Sequence, residues 1–187
     1  MLDQERCVLC ARCTRFTDKI THTHELGIIG RGDHARVSTM PGRKLSNPYA
    51  MNVVDLCPVG ALTSKDFRFS QRVWFLSTVD SICHGCAKGC NIYIDHNKMK
   101  YKDDHIYRFR PRRNDDVNGF FICDEGRLSY KTLQEDRQEE IVLHGKEIVE
   151  EEAIKALHTL VEKYKNNITV VIDANLYTEE IEAILDF

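Results

Sequence analysis

The eight cysteines of this chain fall into two sets of four with none left over: Cys7, Cys10 and Cys13 with Cys57, and Cys83, Cys86 and Cys90 with Cys123. A 4Fe-4S cube has an iron at each of four corners, and each iron needs one protein thiolate, so four cysteines per group meet the requirement without remainder. The pattern implies two cubane clusters, and clusters of that kind imply electron transfer.

The chain has 187 residues and 42% hydrophobic content, enough for a modest core shared among small lobes. A formal charge of -3 gives no global attraction to nucleic acid or to an anionic membrane. No apolar run approaches the roughly 18 residues of a spanning helix, so a soluble or peripheral chain without a direct membrane span is expected. The N-terminus, Met1-Leu2-Asp3-Gln4-Glu5-Arg6, lacks the apolar stretch and small-residue cleavage site of a secretory signal. A disulfide framework is therefore not implied, and thiols at these spacings read as metal ligands or redox groups.

The expected fold class is α+β, with two small 4Fe-4S lobes followed by the start of an α/β domain. Residues 1–72 form the first lobe, 73–138 the second, and 139–187 the tail. In the first, Leu9 to Lys19 is expected to turn helical after the cysteine loop, and Ala35 to Thr39 and Val73 to Leu76 have short strand character. In the second, Asn91 to Asp95 alternates as a half-buried strand does, with Ile106 to Phe109 as its partner in a small antiparallel sheet. The charged stretch Gln134 to Glu140 marks a change of character. Beyond it, Ile154, Leu157, Val161 and Tyr164 lie on one helix face, Ile168 to Ile172 reads as a buried-type strand, and Thr178-Glu179-Glu180 as a helix start. One strand and two helices cannot bury both faces of a sheet, so the tail is expected to be truncated or completed by a partner.

Cys7 to Cys13 has the form C-x2-C-x2-C, a loop that lets three thiolates converge on three corners of one cube, while Cys57, followed by Pro58, arrives from far along the chain. In two-cluster ferredoxins the Cys-Pro cysteine serves the other cube. Here the second group has its own fourth candidate, and the partition assigns Cys57 to the first. Cys83 to Cys90 has the form C-x2-C-x3-C, and Gly85 and Gly89 permit close backbone approach or positive φ. A zinc site is the alternative at both groups, weaker at the first because three cysteines at successive threes make a poor tetrahedron.

Arg6, Arg12 and Arg15 crowd the first loop, either offsetting the negative charge of a thiolate-bound cube or sitting solvated on the surface. His84 is expected beside the second site rather than in it. The remaining histidines show no ligand spacing except the His22 and His24 pair, and turn or surface roles are expected for them. Arg108-Phe109-Arg110-Pro111-Arg112-Arg113 interleaves basic and aromatic residues, but it is short and followed by Asp115 and Asp116. A docking or cluster-facing edge is expected there, and no nucleic acid.

Around the fourth cysteine, Asn47-Pro48-Tyr49, Asn52 to Lys65 with Cys57-Pro58-Val59-Gly60, and Arg72-Val73-Trp74 closely resemble the large (75-kDa) iron-sulfur subunit family of NADH-quinone oxidoreductase, respiratory complex I. The Gly30-Arg31-Gly32 turn fits the same family. The resemblance implies a 4Fe-4S cluster of the main electron path at Cys7, Cys10, Cys13 and Cys57. The second group resembles the cluster domain shared by that subunit and molybdopterin enzymes, which implies an off-path cluster at Cys83, Cys86, Cys90 and Cys123. The tail from Glu140 resembles the start of a molybdopterin-enzyme-like α/β domain without its cofactor. Two departures stand out. The family's upstream 2Fe-2S domain and its one-histidine, three-cysteine cluster are not present before Cys7, so a fragment is expected. Glu125 also stands where molybdenum enzymes commonly place a lysine bridging cluster and pterin.

The resemblance implies an electron relay from NADH toward quinone, with the flavoprotein and downstream iron-sulfur subunits of the complex I peripheral arm as partners. It places the chain in the cytoplasm, on the inner side of the bacterial plasma membrane through its complex. No catalytic acid or base is expected, because the chain itself binds neither substrate. The alternatives are the cluster-bearing part of a molybdenum-dependent formate dehydrogenase or NAD-linked hydrogenase, and a zinc-stapled interaction module.

Overall fold

The structure, a computed structural model, describes residues 1–97, 105–135, 140–172 and 176–186. It separates into two compact units, Met1–Glu135 and Asp136–Phe187. Of the charged stretch expected at the boundary, residues 136–139 lie outside the described residues.

The N-terminal segment of the first unit is pinned by a backbone exchange with a distant stretch. Leu2 bridges to Leu62, the Asp3 N–H donates to the Ala61 carbonyl (2.8 Å), and the Thr63 N–H donates to the Met1 carbonyl (3.0 Å). The cysteine loop then leads into helix α1 (Arg12–Lys19), three residues later than Leu9, because Leu9 and Ala11 both take positive φ, at 51° and 59°. Phe16 and Cys13 on α1 are buried with Leu26, Val37, Val53 and Leu62 in one core. Strands β1 (Leu26–Ile29) and β2 (Arg36–Thr39) pair antiparallel around the 30–35 turn, where Gly30 holds φ +75° and a Cβ would lie 2.5 Å from the His34 carbonyl oxygen. Only glycine fits that close approach. A short helix α2 (Asn52–Leu56) follows and ends on Cys57.

A three-stranded antiparallel sheet in the order β3-β4-β5 organises the second cysteine group, with β3 (Ser77–Ile82), β4 (Asn91–His96) and β5 (Ile106–Pro111). The expected pairing of the β4 and β5 segments is present. The strand expected at Val73 to Leu76 is instead a 3-10 turn over Val73–Phe75, closed by the Leu76 N–H on the Val73 carbonyl, and β3 begins two residues beyond it. Among the described residues no strand pairs with that apolar segment, and β-propensity acts only where a ladder exists. Ile92, Phe109, Ile122 and Tyr130 are buried with Cys83 and Cys90 in a second core, and helix α3 (Asp124–Leu128) follows directly on Cys123.

Along β4 the alternation carries an exception with a purpose. Asp95 is 1% exposed, and its carboxylate accepts from Thr78 Oγ1 (2.7 Å), Arg108 Nε (2.6 Å), Arg110 Nε (2.7 Å) and Arg110 Nη2 (3.0 Å). Burial pushes its carboxyl pKa up, but the hydrogen bonds from Arg110, Thr78 and Arg108 outweigh it and hold the group below the usual carboxylate range. The basic run of β5 is thus turned onto one carboxylate. Arg112 pairs with Asp80 and Arg113 with Asp115.

In the second unit, strands β6 (Val142–Leu143) and β7 (Lys146–Glu147) form a hairpin whose turn residues His144 and Gly145 both take positive φ. That is the backbone of a tight two-residue hairpin turn. Helix α4 (Glu150–Tyr164) carries Glu150, Glu151 and Glu152 in its first turn, where they complement the macrodipole. Helix α5 (Thr178–Leu185) starts where expected, with the Glu180 carboxylate accepting from the Tyr177 N–H (2.8 Å). The strand expected at Ile168 to Ile172 is absent; the segment is irregular, with Val171 91% exposed. No strand lies beside it among the described residues, and unpaired N–H and C=O groups cannot sustain extended structure.

Candidate metal centres

Cys7, Cys10, Cys13 and Cys57 line one small recess, together with Leu2, Val37, Ala61 and Leu62. Cys7 and Cys10 come from the loop before α1 and Cys13 from its first turn, and the fourth is delivered by the N-terminal exchange with residues 61–63. That exchange sets the start of the chain against the turn that follows Cys57. The left-handed Leu9 and Ala11 coil the loop tightly enough for thiols three residues apart to face one recess. Arg15 ties the same loop to α1, its Nη2 donating to the Cys10 carbonyl (2.9 Å) and its Nε to the Ala11 carbonyl (3.4 Å). It is therefore a loop-holding residue. Arg6 is occupied by Asp3 at the surface (3.1 Å), and Arg12 is exposed.

The two deepest influences on these thiols oppose each other. Burial pushes the Cys13 thiol up, its own and Thr14 backbone N–H groups pull it down, and Cys10 and Cys7 push it up again. At Cys57 burial also pushes up, but the backbone N–H groups of Leu62, Val59, Ala61 and Gly60 outweigh it and lower the pKa. The Leu62 N–H lies 3.4 Å from Cys57 Sγ. Cys57 thus sits in a cup of amide dipoles, a concavity that favours an anionic sulfur.

At the second group, Cys83 and Cys90 are buried, Cys123 is partly buried and Cys86 is exposed. The Cys83 N–H donates to the Cys90 carbonyl (2.8 Å), folding the C-x2-C-x3-C loop back at the end of β3, and Gly89 supplies the positive φ of its turn. Cys123 Sγ caps α3 by accepting from the Gly126 N–H (3.3 Å). Gly126 is the close-approach position: a Cβ there would meet Cys83 Sγ at 2.9 Å and Cys123 Sγ at 3.3 Å, whereas one at Gly85 would clear Cys83 Sγ at 3.6 Å. Burial raises the Cys83 and Cys90 thiols, and both are raised further by Cys86 and Cys123. Four clustered thiolates repel one another, and a bound cationic metal reverses that repulsion.

All eight cysteines are free thiols. Among the described residues no three Cys, His, Asp or Glu side chains converge tightly enough to serve one metal ion. Ligands of a single zinc stand about 2.3 Å from it, while a cube takes one thiolate at each of four separate corners. His22 and His24 occupy a left-handed turn, and His24 Nδ1 pairs with Asp18 (3.0 Å), a turn role as expected.

The structure also shows residues whose part the sequence did not disclose. Asn52 on α2 is fully buried and joins the two fourth-cysteine segments: its Nδ2 donates to the Tyr49 and Ile122 carbonyls (2.8 Å each), and its Oδ1 accepts from the Ile122 N–H (3.3 Å). Arg127 of α3 is buried, and its Nη2 donates to Asp55 Oδ2 (2.5 Å) and Asn52 Oδ1 (3.2 Å). The Asp124 N–H donates to the Pro48 carbonyl (2.7 Å), and its Oδ1 accepts from the Met51 N–H (2.9 Å). Phe121 closes edge-on against Phe16 at 5.0 Å between centroids. Glu125 is exposed. A cleft of about 580 Å³ beside this junction is lined by Arg6, Arg68, Arg72, Arg108 and Arg127 together with Asp55 and Asp66. Asn52, Asp55 and Arg127 stand within or beside the cysteine motifs, but nothing in their spacing shows that residues about seventy positions apart meet.

Residues 1–63 match the family model described as NADH-quinone oxidoreductase subunit 3, ferredoxin-like domain, and residues 76–135 match the molybdopterin oxidoreductase Fe4S4 domain. The chain is 40% identical over 132 residues to the NADH-ubiquinone oxidoreductase 75 kDa subunit of Reclinomonas americana, covering 71% of this chain and 18% of that protein. It is 37% identical over 163 residues to an NADH-quinone oxidoreductase subunit of Rickettsia felis, covering 86% of this chain and 23% of the relative. Against the mitochondrial NADH dehydrogenase [ubiquinone] iron-sulfur protein 1 of Solanum tuberosum the identity is 36% over 140 residues, 75% of this chain and 18% of the relative. The chain thus spans about a fifth of the length of these curated relatives.

Proposed function

The chain belongs to the family of the 75 kDa iron-sulfur subunits of NADH-quinone oxidoreductase, and from that premise we propose that it is an electron-relay segment carrying two 4Fe-4S clusters. The first is held by Cys7, Cys10, Cys13 and Cys57, the second by Cys83, Cys86, Cys90 and Cys123. The observation that carries this reading is the recess lined by all four thiols of the first group, one of them drawn from some forty residues away. The Gly126 cradle supports the second assignment, since the sulfurs of Cys83 and Cys123 both close on the space where a side chain would begin.

Each 4Fe-4S group, when bound, supplies a site that takes up and releases one electron. The protein's part is to hold, bury and tune. The amide cup around Cys57 stabilises its thiolate, and the Gly126 N–H does the same for the Cys123 sulfur. Donors to ligand sulfurs favour the more negative, reduced state. This reading asks for no catalytic acid or base at either group, because the cofactor carries the chemistry.

In this reading the chain works inside a complex I-like NADH-quinone oxidoreductase, taking electrons that originate at NADH and passing them toward quinone. Its partners are the flavoprotein and downstream iron-sulfur subunits of the peripheral arm, and it lies peripheral to the inner face of the membrane. No helix among the described residues is long and apolar enough to cross a membrane. In this reading residues 139–187 belong to a molybdopterin-oxidoreductase-like α/β domain, and Ile154, Leu157, Leu160 and Tyr164 of α4 are exposed.

Anaerobic reconstitution followed by iron and sulfide analysis tests the proposal. About eight irons and as many sulfides per chain are expected from two cubes, with paramagnetic signals on reduction. Zinc without sulfide would overturn it.

A further inference from the structure

We propose that the Asp55–Arg127 ion pair is a charge-tuning element shared by both cysteine groups, setting the potentials of the two clusters together. The inference rests on the two-cluster reading above and goes beyond it by assigning a role to side chains that ligate nothing.

Asp55 stands two residues before Cys57 on α2, and Arg127 four residues after Cys123 on α3, so the pair spans the two turns that deliver the fourth ligands. The Arg127 side chain is 7% exposed and that of Asp55 30% exposed, with Nη2 and Oδ2 2.5 Å apart. The two charges are unequally screened. The carboxylate is partly open to water, while the guanidinium is enclosed, and its buried Nε–H finds no acceptor among the described residues. Both side chains also line the cleft beside the junction, and the guanidinium, the more enclosed of the two, is the charge less screened by water. Uptake of one electron adds one negative charge to a thiolate-bound cube. A buried cation favours that step and a nearby carboxylate opposes it.

A purely architectural ion pair would make the same contacts, and the sign of the response separates the two roles. Arg127→Met leaves Asp55 uncompensated and lowers both midpoint potentials. Asp55→Asn leaves Arg127 uncompensated and raises both. Arg127→Lys keeps the charge and stays near the wild-type values even where its geometry is poorer. If the pair only held the fold, Arg127→Met and Asp55→Asn would shift the potentials in the same direction or not at all, and Arg127→Lys would behave like Arg127→Met.

The experiment is an EPR-monitored redox titration of the anaerobically reconstituted full chain and the three variants, with iron and sulfide counted in each sample. Opposite displacements by Arg127→Met and Asp55→Asn, seen at both clusters, are the expected result. Unmoved potentials with full cluster content overturn the inference while leaving the relay reading intact, as does a shift confined to one cluster. A wild-type chain that assembles no sulfide-bearing iron overturns the relay reading and this inference with it. Should Arg127→Met fail to hold its clusters, Asp55→Asn carries the test alone, and potentials that fall or stay fixed in that variant reject the proposal.

Discussion

Asn52 holds the backbone of Ile122 as a neighbouring strand would, donating from Nδ2 to its carbonyl (2.8 Å) and accepting its N–H at Oδ1 (3.3 Å). One side chain thereby fastens α2, which ends on Cys57, to the residue that precedes Cys123. The two cysteine groups share a joint although each has its own apolar core.

Replacing Asn52 by Leu should strand two buried backbone groups, the N–H and the carbonyl of Ile122, while the Tyr49 carbonyl keeps the Asn52 backbone N–H. Each unsatisfied buried group costs roughly 1–3 kcal/mol, so a loss of several kcal/mol is expected, checked by urea unfolding under anaerobic conditions. A change below about 0.5 kcal/mol would show that the joint is not structural.

Gly126→Ala should damage the second centre selectively. The added methyl would lie 2.9 Å from Cys83 Sγ, too close for that sulfur to keep its place, and a tight 3.3 Å from Cys123 Sγ. Iron per chain should fall from about eight toward about four, with the spectrum of the first cluster retained. Gly85→Ala, whose methyl clears Cys83 Sγ at 3.6 Å, should keep its full complement.

Cys57→Ser should lose or degrade the first cluster and leave the second largely intact, since Cys57 lines the recess with Cys7, Cys10 and Cys13. Difference spectra of the reduced chain measure this directly. Equal loss of both signals would overturn the assignment of Cys57.

Acid should weaken the β3-β4-β5 sheet through Asp95. Its folded pKa lies below its unfolded value of about 3.9, so at low pH the unfolded chain binds the extra proton. The stabilisation is fully present above that unfolded value and is lost as pH falls through the lowered folded one. Asp95→Asn should flatten this acid limb and lower stability at neutral pH by about 3 kcal/mol, because Arg108 and Arg110 lose their shared partner. Unfolding curves collected between neutral pH and pH 3 test both the slope and the offset. Glu25, held below the usual range despite burial by Asn47, Ser46 and Thr23, adds to the wild-type slope with the same sign.

The grouping of the cysteines in two sets of four can be read directly from the sequence, and so can a helix ending at Lys19, though it starts at Arg12 rather than Leu9, the helix ending at Tyr164 and the pairing of β4 with β5. Ligand number, helical period and strand alternation are local patterns that a linear string preserves. The strands expected at Val73 to Leu76 and Ile168 to Ile172 failed for one reason: apolar β-branched runs describe what a strand would bury, and only a neighbouring strand makes one. Only the tertiary structure decided that the chain's first residues pair with 61–63 to carry Cys57 home, and that Asn52 grips Ile122. It alone turned the β5 arginines onto one buried Asp95 instead of outward. Those outcomes depend on hydrogen bonds and charges that meet across tens of residues, and such meetings are fixed by how the cores close rather than by any spacing along the chain.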